Sequence, residues 1–277
     1  MIDTLDNGYH KLYIKIMIRV GIKDRVNADE DFPDYYKVVT LTKSTPYGDL
    51  SPYCLTVDIT EDQTTFHDVL LENAWQFSKL YRSVPNSVQR HSRYDKTVVW
   101  DHPSETHIAS DHHTSDPKEL ATVEPTDAYW AWRDKGFRTA EPIRYPVGFD
   151  HRHECVCSLW YDEEGAGYRS HSYIEARKNI YLPLYLQAVV DQPKFLKLKD
   201  MLLAGKNLLI LEVDGPHQES LGYYQQKYGV PNDFISQHTV VANKRNMALL
   251  LNDPKHPFGH GYCLALALLY AVEVSTA

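Results

Sequence analysis

The sequence predicts an α+β fold, a single compact domain over residues 1–277 with a β-rich N-terminal part and a long polar insertion. Three observations carry this. Apolar residues alternate near the N-terminus, the apolar period lengthens to that of a helix from about Asp68, and a continuous apolar run from Asn207 to Val213 ends among carboxylates. Taken in order, residues 12–20 (LYIKIMIRV) alternate as a strand does, and residues 36–42 are a second, β-branched candidate. Over 68–81, Leu70, Leu71, Ala74, Phe77, Ser78 and Tyr81 fall on one side of a ~100°-per-residue wheel, which predicts a helix. From Arg82 to about Pro125 the chain turns polar and rich in His, Asp, Ser and Pro, and reads as a surface insertion. Residues 128–135 read as a Trp-rich helix closed by Gly136, and 155–160 as a strand. Residues 173–190 read as a helix that Pro183 must kink or split, because proline lacks the N–H and clashes with the preceding turn. A helix over 193–204 begins at Pro193 and ends at Gly205. The 207–213 run predicts a strand buried on both faces, and the last helix begins near Gly261.

Composition narrows the function classes. The 277 residues include 29 Lys+Arg against 37 Asp+Glu, a net charge of −8, so there is no basic excess with which to neutralise phosphates along a nucleic acid, and any such contact must be local. At 43% hydrophobic and 24% charged the chain reads as soluble and globular. Four cysteines are too few for a disulfide scaffold, and the first fifteen residues carry no basic stretch followed by an apolar run, so a reducing, cytoplasmic compartment is expected. The longest apolar stretch, Tyr262 to Val272, is about half of the ~20 residues that cross a bilayer, so no membrane partner is expected. The 20 Tyr and 5 Trp suit sugar or base stacking, and equally suit ordinary half-buried packing.

Within the 68–81 helix, Glu72, Trp75, Gln76 and Lys79 form one stripe opposite the apolar face. A solvated face is the ordinary explanation, but an indole on a polar side needs something to cover. A carboxylate, an amide and an amine beside a Trp make the floor of a pocket, in which burial would lower the Lys79 pKa and make it a nucleophile. Glu212 and Asp214 alternate onto one face at the carboxyl end of a strand, where functional groups collect in sheets with helical cover; a strand terminator before a Gly turn reads the same way. Gly259, His260 and Gly261 precede an apolar helix whose free N–H groups suit an anion, or whose glycines serve packing. Arg144 beside Tyr145, and Glu175 with Arg177, are charged groups among apolar or aromatic neighbours, suited to a phosphate clamp or to a structural ion pair.

A metal is not expected. His151, His153, Cys155 and Cys157 would share a strand face but span about 20 Å at ~6.8 Å per alternate residue, so they cannot surround one ion. His102, His107, His112 and His113 in the insertion lack the spacing of a zinc motif.

The order of these pieces resembles the NADAR family. The blocks are Leu50-Ser51-Pro52-Tyr53; the helix with Glu72, Gln76 and Lys79; PKFLKLKDMLLAGKNLLILEVDG over 193–215; and Gly259-His260-Gly261 before the last helix. They cover under half of the chain. The Trp-Gly-x-Gly that usually follows the family's aspartate is absent, and neither the insertion at 82–125 nor residues 216–257 have a placed counterpart. The resemblance implies a cofactor-free N-glycosidase that cleaves a ribosyl–nitrogen bond in phosphorylated ribosyl small molecules or ADP-ribosylated nucleic acid. Carried over by position, it implies Lys79 as nucleophile, Glu72 and Asp214 as the family's carboxylates, either of them the acid/base group, and Ser51 and Tyr53 on the ligand side; the residue patterns described above add Trp75, Gln76 and Glu212 around the substrate and Arg144, Gly259, His260 and Gly261 for its phosphate. Two rivals stay open: a glycosyl transferase modifying a nucleotide or DNA base on the same pocket, and a non-catalytic binder of ADP-ribose or a nucleotide.

Overall fold

The computed structural model describes residues 17–41, 44–109, 122, 124–165 and 167–276. Its strands are β1 Ile18–Ile22, β2 Tyr35–Val39, β3 Thr56–Glu61, β4 Thr64–Leu70, β5 Lys79–Tyr81, β6 Ser83–Val84, β7 Ser87–Arg90, β8 Val98–His102, β9 Glu105–Thr106, β10 Cys155–Asp162, β11 Gly167–His171, β12 Asn207–Glu212 and β13 Thr239–Ala242. Its helices are α1 Ala28–Asp31, α2 Leu71–Phe77, α3 Asp127–Phe137, the composite α4 described below, α5 Pro193–Leu203, α6 Leu221–Tyr228, α7 Lys244–Leu251 and α8 His260–Thr276. The fold is therefore a mixture of α and β, as the changing period of the apolar residues predicts.

The main sheet runs β13-β1-β12-β2, with β1, β12 and β2 parallel and β13 antiparallel at one edge. Both faces of β12 are covered, which is why its sequence is apolar without alternation. Leu208 and Ile210 belong to the large core on the α8 side, while Leu209 and Leu211 cluster with Phe32 on the other. Strand alternation then puts Glu212 on the α8 side, at the carboxyl end of the parallel strands. Residues 12–16 and Thr42, the outer parts of the two N-terminal strand readings, lie outside the described residues.

Three sequence readings need correction. The helix expected over 68–81 is only Leu71–Phe77: β4 runs up to it, and Lys79–Tyr81 is a strand paired with β10, with Lys79 opposite Ser158. The last helical carbonyls find other donors, since Arg133 Nη1 donates to Phe77 O (3.2 Å) and the Tyr129 hydroxyl to Ser78 O (3.2 Å), so the helix has no need to continue. Gly136 does not close α3 but lies inside it, where a Cβ would come within 2.2 Å of the Phe77 ring; the close approach of two helices requires it. The helix in which Pro183 is expected to force a kink or split is divided: α4 passes from Tyr173–Ala176 through a π-turn at Arg177–Tyr181 into Leu182–Val189, which leaves Pro183 in the first turn of the last segment, where its missing N–H costs least. The stretch after Arg82 is not a plain surface loop: β6 pairs with β9 and β7 with β8, and Trp100, His102, His107 and Ile108 are buried. Its few apolar residues carry the packing, and the polar majority hides them. Residues 110–121 and 123, which include His112 and His113, lie outside the described residues.

His107 sits against Trp132 and Tyr129 with no exposed surface. Burial drives its pKa from 6.5 down to about 4; Glu105 opposes this and His102 adds to it. A histidine depressed in the fold stabilises it fully above its unfolded pKa, and that contribution is lost as pH falls. Thermal unfolding followed by circular dichroism is expected to lose up to roughly 3 kcal/mol of stability between pH 6.5 and 4 from this residue, and His107→Phe should flatten that part of the profile. An unchanged slope in the Phe variant would refute the assignment.

A polar clamp sets the loop before α8. Asp253 is fully buried and accepts from the hydroxyls of Tyr223 (2.6 Å) and Tyr224 (2.7 Å) and from His256 Nδ1 (2.9 Å). Burial works against its charge, but these donors outweigh it and hold the carboxyl well below the ordinary range. Arg177, also buried, donates to the carbonyls of Leu250 (3.3 Å), Asp253 (3.0 Å) and His256 (3.0 Å), capping α7 and pinning the chain that leads into Pro257 to His260. Ser220 Oγ lies 3.0 Å from His256 Nε2 and completes a Ser–His–Asp chain. The amides of Ser220 and Leu221 are already bonded to the carbonyls of His217 and Gln218, so neither can serve an oxyanion, and the network reads as a structural brace.

Candidate functional site

A cavity of about 580 Å³ opens beside the carboxyl end of β12. Sheets of this kind place ligands there, where loops leave the strands. Ser51 builds one wall without entering it. It is fully buried, its carbonyl accepts from Cys54 N (2.9 Å) and Leu55 N (3.0 Å), and its hydroxyl accepts from Tyr53 N (3.3 Å). The resulting turn presents Tyr53 to the cavity. The next carbonyl, of Pro52, accepts from Glu72 N (3.0 Å), which docks the start of α2 on the same turn.

From α2 come Glu72, Trp75 and Gln76, all lining the cavity, as their helical spacing predicts. Trp75 packs against Tyr181 (5.1 Å) and Tyr173 (6.4 Å) of α4 to give an aromatic wall. Glu212, Asp214, Arg144, Gly259 and His260 complete the set of expected residues at the cavity surface. Lys79 and Gly261 stand one layer back. The Lys79 amine lies over the Trp75 ring (4.8 Å) and donates to Gln76 Oε1 (2.7 Å), while Gln76 Nε2 donates to Glu72 Oε1 (2.9 Å). One chain of hydrogen bonds therefore runs from the amine to the carboxyl, and it turns the Glu72 carboxyl in a fixed direction.

The glycines before α8 serve a different purpose from the expected anion site. A Cβ on either Gly259 or Gly261 would lie 2.8 Å from the Glu212 carboxylate, and the Gly261 amide donates to Glu212 Oε2. Glu212 Oε1 accepts from Val213 N (2.7 Å) as well. The protein's own carboxylate thus takes the Gly261 N–H at the start of this helix, where a ligand phosphate was expected, and it is favoured there by the helix dipole. His260 is fixed by its Nε2 against Thr40 O (3.1 Å), which leaves Nδ1 toward Glu212 (3.7 Å).

Three carboxyl groups share this space, and two of them, Glu72 and Asp214, differ in their electrostatics from surface acids. Burial raises the Glu72 pKa against the pull of Gln76, Lys79, Arg144 and His260. Burial and then the charge of Glu212 raise Asp214, with Arg144 and His260 opposing. Burial lowers the Lys79 pKa, with Cys155 and Glu72 opposing. The Tyr53 hydroxyl is pushed up by burial and by Glu72, so it stays a donor. Arg144, exposed at the mouth, stacks over Tyr145 (5.2 Å) and Tyr53 (5.7 Å). Such a set can transfer protons to and from a ligand whose flat part lies on the aromatic wall.

The chain matches no family model, no curated protein and no solved structure.

The contribution of α4 escaped the sequence reading in part. Tyr173, Arg177 and Tyr181 all line the cavity, and their four-residue spacing marks one helix face. Pro183 drew attention to the break in the helix, and the stripe went unread. Glu175, paired with Arg177 in the sequence reading, instead closes a capping box with Ser172, accepting from Ser172 N (2.8 Å) at the surface. The His151-to-Cys157 run splits into a 3₁₀ turn and β10, and no group of three or more potential metal ligands converges among the described residues. No described helix is long and apolar enough to cross a membrane.

Proposed function

We propose that this chain is an N-glycosidase of NADAR-like kind, hydrolysing the ribosyl–nitrogen bond of a phosphoribosylated or ADP-ribosylated base. The observation that carries the reading is the meeting of Glu72, Glu212 and Asp214 in one aromatic-walled cavity with Arg144 at its mouth. Cleavage of a C1′–N bond leaves positive charge on the sugar and needs a proton on the departing nitrogen. Carboxylates answer the first need, and an acid with a raised pKa answers the second. Glu72 and Asp214 both have raised pKa values and lie in the field of Arg144 and His260. In this scheme Lys79 attacks C1′, the base leaves with a proton from a carboxyl group, and water then releases the sugar from the amine.

The seating of the Lys79 amine on Gln76 favours a second route, in which water attacks directly and Lys79 only holds the Gln76–Glu72 relay. Borohydride separates the two. With the lysine route, incubation with ADP-ribosyl-guanosine, ADP-ribosylated DNA or a phosphoribosyl-aminopyrimidine releases free base, and borohydride traps a sugar adduct on Lys79 detectable by mass spectrometry. Lys79→Arg keeps the charge but cannot form the imine, so adduct and turnover should both vanish. Turnover that survives in the Arg variant without an adduct would assign the chemistry to the carboxylates alone. No base released from any of the three substrates, together with tight binding of ADP-ribose, would make the protein a binding module.

A further inference from the structure

The segment from Thr139 to Tyr145, which follows α3 and brings Arg144 to the mouth of the cavity, is neither helix nor strand. Ile143 and, beyond it, Val147 are buried and hold it to the core. Apolar contact is non-directional, so it fixes depth but not where along the path each residue stands. Register needs hydrogen bonds, and a backbone outside any ladder takes them from side chains.

Asn73 supplies them. It is fully buried and follows Glu72 in α2. Its Nδ2 donates to the carbonyls of Thr139 (2.9 Å) and Glu141 (3.0 Å), and its Oδ1 accepts from Ile143 N (2.8 Å). Three bonds to every second residue stop the segment from sliding, and the next residue is Arg144. Gln89 also reaches this stretch, donating to Pro142 O and accepting from Tyr145 N, but both contacts are 3.4 Å, near the limit of a hydrogen bond, and it belongs to the hairpin of β7 and β8.

The charges around Glu72 show why that register matters. Lys79, Arg144 and His260 are the cations that oppose its burial-raised pKa, together with the hydrogen bond from Gln76. The Tyr53 and Tyr181 hydroxyls, also near Glu72, are raised by burial and stay neutral, and Glu212 and Asp214 share the cavity. Lys79 is tied to Gln76 (2.7 Å) and His260 to Thr40 O (3.1 Å). Arg144 has only a long hydrogen bond to the Tyr145 hydroxyl (3.4 Å) and its stacking on two rings, so its place depends on the backbone that carries it.

We propose that Asn73 is a positioning residue that sets the distance between Arg144 and Glu72, and so the readiness of Glu72 to hand over its proton. This rests on the glycosidase reading, in which a carboxyl group protonates the leaving base, but the distance can be tested without turnover.

NMR titration of the whole chain, labelled with ¹³C at the glutamate carboxyl carbons, follows Glu72, whose signal is the one lost in Glu72→Gln. Arg144→Ala should raise the Glu72 midpoint, because a cation that favours the carboxylate is gone. Asn73→Ser should raise it in the same direction, and the double variant should go no further than Arg144→Ala alone, the non-additivity expected when one residue acts through the other. If the serine variant does not fold, Asn73→Gln keeps the amide but displaces it by one methylene, with the same expectation. In a folded Asn73 variant, an unchanged Glu72 midpoint, or a rise that adds in full to that of Arg144→Ala, would overturn the positioning role and leave Asn73 a brace of the fold. Base release, measured alongside, should lose up to ~10²-fold in kcat in Asn73→Ser, as small misplacements do, with the alkaline limb moved up with the Glu72 midpoint. The expected titration without base release from the parent would leave the positioning role standing and remove the glycosidase.

Discussion

Replacing Arg133 with methionine is expected to destabilise the fold by about 3–5 kcal/mol, because it leaves a buried carboxylate without its partner. Arg133 and Glu61 are 2% and 5% exposed, and they pair in a two-pronged arrangement, Nη2 to Oε1 and Nε to Oε2 (3.2 Å). Arg133 Nη1 also donates to Leu159 O (3.1 Å) and Phe77 O (3.2 Å), so one side chain ties α3, the β3–β4 hairpin, β10 and the end of α2 together. Urea unfolding measures the loss, and the thermal midpoint should fall by roughly 10 °C for a chain of this size. Arg133→Met combined with Glu61→Leu should recover much of it, since an apolar pair of similar bulk can replace a buried ion pair. If the single variant unfolds within 1 kcal/mol of the parent by the same extrapolation, water reaches Glu61 and the pair is not the brace described.

The sequence carried much of the architecture and much of the grouping of the candidate residues, for identifiable reasons. The apolar run from Asn207 to Val213 has a two-face burial that no alternative element explains, and it is strand β12. The stripe of Glu72, Trp75 and Gln76 needs only two turns of helix, so it survives although α2 is seven residues long. Lys79 needs a third turn and falls on a strand instead; what returns its amine to the stripe is side-chain length and the Gln76 carbonyl, neither of which periodicity encodes. Gly259 and Gly261 carry a correct signal, close approach, with an ambiguous partner. The sequence cannot say whether a phosphate or the protein's own Glu212 fills the space they clear, since that depends on where β12 ends against α8. The hairpin of β7 and β8 was illegible because two or three buried residues among many polar ones leave no period to read.

Glu72→Gln is expected to lower kcat by ~10²–10⁴ with little change in KM, because glutamine keeps the shape and the hydrogen bond from Gln76 but cannot give up a proton. The sign of the accompanying stability change separates a catalytic acid from a structural one. Burial raises the Glu72 pKa above that of the unfolded chain, so the group favours the fold at low pH and loses that advantage as pH rises through its folded value. At neutral pH the Gln variant, which carries no charge to bury, should therefore melt at or above the parent's midpoint while losing turnover, and the gap should close in acid. In the parent, kcat should fall as pH rises through the same raised value, since the proton donor is then lost, and this limb should be absent from the residual activity of the variant. Asp214→Asn should reproduce both effects in weaker form, because Asp214 also owes its raised pKa to Glu212 beside it, a charge that remains after substitution. A Glu72→Gln protein that loses stability and turnover together at neutral pH would show that the Glu72 carboxylate holds α2 in place, and the proton for the leaving base would then have to come from Asp214 alone.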